Sequence, residues 1–151
     1  MNRKIKNAKE FFADGIKFKS KLEMKAYKIL KENGLSPKYE AEKVVLFNGF
    51  KPSKTWYIDG VPQVTKKGNN KKLIDWCYTP DFKIELNDHV AYFEIKGFPN
   101  DVYPYKRKLF LEYIDDIPKT YFFEIKEVPD GLIKAIEIFK SYATDIVKNK
   151  N

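Results

Sequence analysis

The stretch YTPDFKIELNDHVAYFEIKG, residues 78–97, decides the fold. It holds two runs rich in β-branched and aromatic residues, Tyr78–Leu86 and His89–Lys96, which is typical of strands. Between the runs lies Asn87-Asp88, a dipeptide suited to the positive-φ turn of a two-residue hairpin. We therefore expect an antiparallel hairpin in which the residues that flank this turn face each other.

The register of that hairpin sets two acids against each other. Counting back from the turn places Asp81 directly opposite Glu94, and alternation places Lys96 on the same side. Opposite Cβ atoms lie about 4.5–5.5 Å apart, and like charges there destabilise a sheet. We expect either a positive group between the acids or a proton on one of them. Pro80 removes a donor from the ladder and indicates an edge or a bulge.

The other side of the hairpin is apolar and predicts a core face, made by Phe82, Ile84, Leu86, Phe93 and Ile95. The plain alternative for the polar side is a half-solvated surface of mixed charges that includes Lys83 and Glu85. That alternative explains each residue singly. It explains neither the facing acids nor the glycine directly after Lys96.

Carboxylates beside a lysine are the groups that phosphodiester hydrolysis needs. The carboxylates hold a divalent ion that polarises the phosphate and acidifies a water, and the lysine orients the water or neutralises developing charge. With a single cysteine, Cys77, and a single histidine, His89, the chain favours Mg²⁺ or Mn²⁺ over zinc. The lone cysteine excludes an internal disulfide and indicates a reducing, cytoplasmic setting.

The rest of the chain predicts helices and strands around this hairpin. Their order predicts an α/β fold with a small mixed central β-sheet flanked by helices, in one domain over residues 1–151 with a core at about 17–148. The expected elements are a helix capped by Ser20 and ended by Asn33-Gly34, a strand at about 39–47, a basic insertion at about 48–72 that forms a hairpin or mobile loop, a helix at about Tyr105–Asp115 with Tyr105, Leu109 and Tyr113 on one side, a strand at Tyr121–Lys126, and a helix at about Asp130–Lys148.

Two further glutamates have competing interpretations. Ser20-x-x-Glu23 is a capping box, which explains Glu23 without chemistry, yet the same helix could aim Glu23 at the hairpin acids. Glu124 lies in Phe123–Lys126, a letter-for-letter repeat of Phe93–Lys96. It lacks a hairpinned Pro-Asp strand and a following glycine, so we assign it to a structural strand. Cys77 and His89 are expected to pack rather than to catalyse.

The charge of the chain suggests a polyanionic partner. The net charge is +8, and no apolar run reaches the roughly 20 residues that a membrane span needs, so we expect no membrane partner. Basic residues are concentrated in residues 1–38, which fits a phosphate backbone, although solubility alone explains such a surface equally well. The candidate DNA-binding residues are Lys19, Lys21, Lys106, Arg107 and Lys108.

These motifs also resemble a known family. Residues 78–82, with their Pro-Asp, and residues 93–97, with Glu-x-Lys-Gly, resemble the PD-(D/E)XK nuclease superfamily. Lys19–Glu23 opening a helix, followed by Tyr39-Glu40, resembles the phage endonuclease I type of Holliday-junction resolvase. The likeness covers roughly residues 17–126, and the basic insertion at 48–72 departs from it.

The resemblance implies a restriction-endonuclease-like core in which Asp81 and Glu94 ligate Mg²⁺ or Mn²⁺. Lys96 then assists the attacking water, and Glu23 completes the acidic cluster. It further implies a phosphodiester-hydrolysing DNA endonuclease that acts on branched DNA as a homodimer in recombination. The alternatives are a nicking or restriction-like nuclease on ordinary duplex, and a non-catalytic DNA-binding phage protein with the same fold.

Overall fold

The structure, a computed structural model, describes residues 10–97 and 100–144. Within this part the chain forms ten strands and three helices. The strands are β1 Phe11–Ala13, β2 Ile16–Phe18, β3 Lys38–Tyr39, β4 Val44–Phe47, β5 Tyr57–Ile58, β6 Val61–Pro62, β7 Trp76–Tyr78, β8 Phe82–Leu86, β9 His89–Ile95 and β10 Thr120–Ile125. The helices are α1 Lys21–Glu32, α2 Tyr103–Asp115 and α3 Asp130–Thr144. The predicted mixed α/β class is confirmed.

The central sheet has four strands in the order β10-β9-β8-β3. It is mixed, because β9 and β10 are parallel whereas the other two pairs are antiparallel. The predicted hairpin is confirmed, with Leu86 paired to His89. Asn87 and Asp88 both adopt positive φ, at 48° and 64°, as a tight primed turn requires.

Helices cover both faces of this sheet. On one face α1 and α3 pack on the apolar side of the hairpin, and the buried side chains there include Leu30, Phe82, Phe93 and Phe139. On the other face α2 packs with β4 and β7 around Tyr92 and Phe110, among others. The polar side of the hairpin is therefore covered at Tyr92 and Glu94, whereas Lys83 and Glu85 stay partly exposed, as the half-solvated alternative expected.

Two predicted strands are broken by local backbone geometry. The expected strand at Tyr78–Leu86 becomes β7 and β8, because the chain bends at Thr79–Asp81 around Pro80, which has no N–H to donate. The expected strand at 39–47 was also wrong. It becomes β3 and β4, which belong to different sheets, because Glu40 adopts a φ of 44° and donates its N–H to the Asp81 carbonyl at 2.8 Å.

The helices follow the predictions closely, with two differences. α1 is capped by Ser20 as expected, its hydroxyl accepting from the Glu23 N–H at 3.1 Å. α2 begins at Tyr103, two residues earlier than expected, and it buries Tyr103, Phe110 and Ile114, whereas Tyr105 is 67% exposed. α3 is described to Thr144, so the predicted extension over 145–148 lies outside the described residues, as do the basic residues before position 10.

Two hairpins lie outside the central sheet. β1 and β2 form one that sequence patterns did not predict, and β5 and β6 form the other within the basic insertion, one of the two forms expected there. β4 and β7 pair with each other at the base of this insertion. Over residues 10–97 and 100–144, no helix has the length and apolar character that crossing a membrane demands.

Candidate functional site

A polar pocket of about 450 Å³ lies where β7 leads into β8 and where β9 ends. The predicted acids Glu23, Asp81 and Glu94 line it together with Lys96. Three elements supply these groups, since α1 carries Glu23, the β7–β8 bend carries Asp81, and the end of β9 carries the other two. The remaining lining residues include Lys19, Glu40, Lys43, Cys77, Tyr78, Asn100, Tyr103 and Lys106.

Asp81 reaches the pocket in a different way from the one predicted. The ladder between β8 and β9 ends at Phe82 paired with Phe93, so Asp81 is not a ladder partner of Glu94. Its carboxylate Oδ2 instead accepts the Ile95 N–H at 2.7 Å. Burial, followed by the charge of Glu94, raises the pKa of Asp81 to about 8. The two acids are therefore close enough to repel each other, although the backbone bend displaces the expected pairing.

Glu94 is almost fully buried, at 5% exposure, and two side chains hold its oxygens. Tyr78 donates its hydroxyl to Oε2 at 2.6 Å, and Lys96 donates from Nζ to Oε1 at 2.9 Å. Burial and the charge of Glu94 raise the pKa of Tyr78, which keeps that hydroxyl protonated as a donor. Buried charge is costly unless it is paired, and these two contacts pair it.

Lys96 is held between an acid and an aromatic ring. Its side chain is 21% exposed, and Nζ lies 4.0 Å from the centroid of the Tyr103 ring while it contacts Glu94. A cation over an aromatic face gains about 0.5–2 kcal/mol. The ammonium group is thereby fixed over the pocket instead of swinging in solvent. Sequence reasoning missed Tyr103, since nothing in the spacing relates the start of α2 to the end of β9.

Glu23 serves as a cap residue and lines the pocket as well. Ser20 donates its hydroxyl to Glu23 Oε1 at 2.9 Å, and Tyr39 donates to Oε2 at 2.5 Å. The charge of Glu23 also contributes to the raised pKa of Asp81. Glu23 can therefore cap α1 and line the pocket at the same time. Its catalytic role stays a prediction.

The repeated tetrapeptide places a further acid, Glu124, beside the site. Strand β10 runs parallel to β9 with Glu124 in register with Glu94, so both point to the same face of the sheet. Glu124 accepts from Arg107 at 2.7 Å and from the Tyr103 hydroxyl at 3.0 Å, which lowers its pKa despite burial. The repeat by itself did not predict this neighbourhood, because identical tetrapeptides do not determine which strands pair.

The predicted DNA-binding residues divide into three groups. Lys19 and Lys106 line the pocket, and Lys19 is paired with Glu40. Lys21 and Lys108 are exposed at the surface of α1 and α2. Arg107 is engaged by Glu124, so its guanidinium orders α2 against β10. Binding of DNA by any of these residues stays a prediction.

His89 and Cys77 differ in how deeply they are buried. His89 is buried, stacks on Tyr121 and bonds to its hydroxyl through Nδ1 at 3.0 Å, so it packs as expected. Cys77 is only partly buried and lines the pocket, which corrects the expectation of a small buried residue. Gly97 adopts no positive φ, and a Cβ there meets no described atom within 4 Å. Nothing in the structure explains glycine at this position.

The donor set fits a hard divalent cation. Asp81, Glu94 and Glu23 offer carboxylate oxygens, the ligands that Mg²⁺ and Mn²⁺ prefer. Within residues 10–97 and 100–144, no three histidine, cysteine or acidic side chains are grouped closely enough to hold a metal by themselves. Mg²⁺ does not require such a group, because it commonly uses one or two carboxylates together with water and substrate phosphate.

Fold and pocket together define a mixed α/β protein that carries one buried acid, two partly buried acids and a fixed lysine at one end of its central sheet. Residues 3–128 match the family model described as "Protein of unknown function (DUF1064)", and the chain belongs to that family. No curated protein and no solved structure matches the chain.

Proposed function

We propose that this protein is a metal-dependent DNA endonuclease with a restriction-endonuclease-like core. The observation that carries the proposal is the convergence of Asp81, Glu94 and Lys96, with Glu23, on one pocket. The residue types are those that phosphodiester hydrolysis uses. They also follow the Pro-Asp and Glu-x-Lys order of the superfamily that the sequence resembles.

Asp81 and Glu94 are the residues that would hold Mg²⁺ or Mn²⁺, and Glu23, which lines the same pocket, would add negative charge near the ion. The ion, when bound, supplies Lewis acidity to the scissile phosphate and lowers the pKa of a water. The raised pKa of Asp81 supports this assignment, because a buried acid beside a second acid gains most from a cation. Each carboxylate oxygen keeps lone pairs beyond its present hydrogen bonds.

Lys96 acts on the nucleophile and on developing charge. Glu94 and the Tyr103 ring fix its ammonium group at the pocket wall, which removes the entropy cost of ordering a long side chain during the reaction. From there its N–H groups can orient a water or neutralise a phosphoryl oxygen. The Tyr78 hydroxyl keeps Glu94 facing the pocket.

The substrate we propose is branched DNA, cut by a homodimer. Basic residues at the rim, Lys19, Lys43 and Lys106, suit a phosphate backbone. The preference for branched DNA and the homodimer rest on the resolvase resemblance, since symmetric cutting of two strands uses two sites. A cytoplasmic setting belongs to the same proposal.

The decisive test is cleavage of a synthetic four-way junction beside matched duplex and single strand, with and without Mg²⁺. We expect Mg²⁺-dependent cutting, fastest on the junction. Lys96→Ala is expected to reduce the rate at least about 100-fold while DNA binding is retained. The matched control is Lys126→Ala, at the equivalent position of the repeated tetrapeptide and exposed, which should cut at the wild-type rate.

The outcomes separate the alternatives. Equal loss in Lys96→Ala and Lys126→Ala contradicts the assigned role of Lys96. Equal rates on junction and duplex support the nicking or restriction-like alternative. Metal-independent DNA binding without cutting of any substrate supports a non-catalytic DNA-binding protein. A single monomeric species in sedimentation at working concentration contradicts the homodimer.

A further inference from the structure

We propose that residues 48–75, here called the basic arm, form a second DNA-binding surface outside the cleavage pocket. The proposal rests on the proposed function for the identity of the polyanion. The basic arm leaves the body after β4 and returns into β7, with the β5–β6 hairpin between them.

The basic arm is an ordered structure. At its base Leu73 donates its N–H to the Phe50 carbonyl at 2.8 Å, and the Gly49 N–H bonds to the Asp75 carboxylate at 2.7 Å. Gly49 is required there, because a Cβ would lie 2.3 Å from the Leu73 carbonyl oxygen. Further along, Gln63 donates its N–H to the Trp56 carbonyl at 2.8 Å. Backbone hydrogen bonds hold the shape.

Burial does not stabilise the basic arm. Between residues 51 and 75 every residue is exposed or half-exposed. Large apolar side chains are among the exposed ones, with Phe50 at 50%, Tyr57 at 62% and Ile74 at 88% exposure. Exposed large apolar side chains concentrated in one segment are typical of interaction surfaces. The basic arm therefore has the features of an ordered binding surface.

Its charge identifies the occupant as a polyanion. The basic arm carries six lysines against two aspartates, and none of the six forms an ion pair with a described residue. Elsewhere on the body many lysines are paired with acids. Exposed lysines interleaved with Phe50, Trp56 and Tyr57 match a surface that neutralises phosphates and stacks on bases.

The position of the basic arm suits this role. Tyr78 at the end of β7 contacts Glu94 in the pocket, and Trp76 at the start of the same strand borders the basic arm. The two residues are about 7 Å apart at roughly 3.3 Å per residue. Strand β7 therefore joins the basic arm directly to the lining of the pocket. The competing occupant is a second copy of this chain, bound through the apolar side chains.

The test measures DNA binding in EDTA, so it does not depend on cutting. The arm variant replaces Lys54, Lys66 and Lys67 with glutamine. The control variant replaces three exposed lysines, Lys28 on α1, Lys119 directly before β10 and Lys134 on α3, with glutamine. Affinity for a fluorescent four-way junction is measured by anisotropy between 50 and 200 mM salt, and circular dichroism verifies folding.

The arm variant should bind the junction at least about tenfold more weakly, with the slope of log K against log salt smaller by about 2–3. The control variant should stay within about twofold of wild type. Charge reversal in the turn that Thr65 and Gly68 close, Lys66→Glu with Lys67→Glu and here called the tip variant, should weaken binding at least as much.

Unchanged affinity and slope in the arm variant and the tip variant overturn the proposal. If Tyr57→Ser with Ile58→Ser then converts a wild-type dimer to monomer, the basic arm is instead a contact between two copies. If the arm variant cleaves DNA and binds it as well as wild type does, only the DNA-binding role of the basic arm is contradicted. Arm-dependent binding without any cleavage supports the arm and contradicts the nuclease.

Discussion

Replacing Asp81 by asparagine should stabilise the metal-free protein at neutral pH. The wild-type carboxyl is buried beside Glu94, and ionising it there is unfavourable. Asparagine removes the charge and keeps an oxygen that can accept the Ile95 N–H. The substitution therefore relieves electrostatic repulsion without abandoning the local hydrogen bond.

The magnitude follows from the pKa. In the unfolded chain the Asp81 carboxyl has its usual pKa of 3.8, and in the folded chain the pKa is about 8. Between these values the folded state keeps a proton that the unfolded state has lost. The stability that Asp81 contributes through this bound proton is therefore fully present below about pH 4 and is lost as pH rises to about 8. Each pKa unit corresponds to about 1.4 kcal/mol, so the upper bound is about 6 kcal/mol.

The assay is urea unfolding of wild type and Asp81→Asn in EDTA at intervals from pH 4.5 to 8.5. The difference in unfolding free energy, variant minus wild type, should grow with pH by up to about 1.4 kcal/mol per unit. Titrating groups that do not interact with Asp81 cancel in this difference. The control is Asp115→Asn, at an exposed acid at the end of α2, which measures the effect of removing a surface carboxylate.

Adding Mg²⁺ at pH 8 separates the acid pair from the metal proposal. The ion should stabilise wild type by about 1.4 kcal/mol at ten times its Kd, and Asp81→Asn much less. A difference that is flat between pH 4.5 and 8.5 would refute the reasoning, since it would mean that Asp81 is not destabilised by its neighbours. Equal stabilisation of both proteins by Mg²⁺ would place the ion elsewhere.

Two further predictions concern the support of the site and of the basic arm. Tyr103→Leu removes the ring beneath Lys96 and should lower the cleavage rate about 3- to 30-fold. Tyr103→Phe keeps the ring, so its cleavage rate should stay within about threefold of wild type. Equal losses in the two variants would show that the hydrogen bond to Glu124 matters instead. Gly49→Ala should lower the free energy of unfolding by about 1–3 kcal/mol, measured by urea titration, because its Cβ collides with the Leu73 carbonyl; an unchanged midpoint would show that the base of the basic arm can move freely.

The local sequence determined those elements that interactions between neighbouring residues stabilise. The Asn87-Asp88 turn fixed the β8–β9 register, because a two-residue loop permits only one pairing of its flanking residues. Ser20 fixed the start of α1 in the same way, through a bond between neighbouring residues. The alternation along the hairpin likewise identified the buried face that holds Phe82 and Phe93.

Only the tertiary structure decided which distant residues meet. The burial of Tyr103 against Lys96, and the parallel register that sets Glu124 beside Glu94, depend on how α2 and β10 pack after a connection whose path no local pattern encodes. The bend at Pro80 likewise ended the ladder at Phe82, before Asp81, and a hydrogen bond from the Ile95 N–H to the Asp81 carboxylate replaced the expected pairing. Turns and caps are short-range interactions, whereas the pocket is a sum of long-range contacts that form only when the layers pack together.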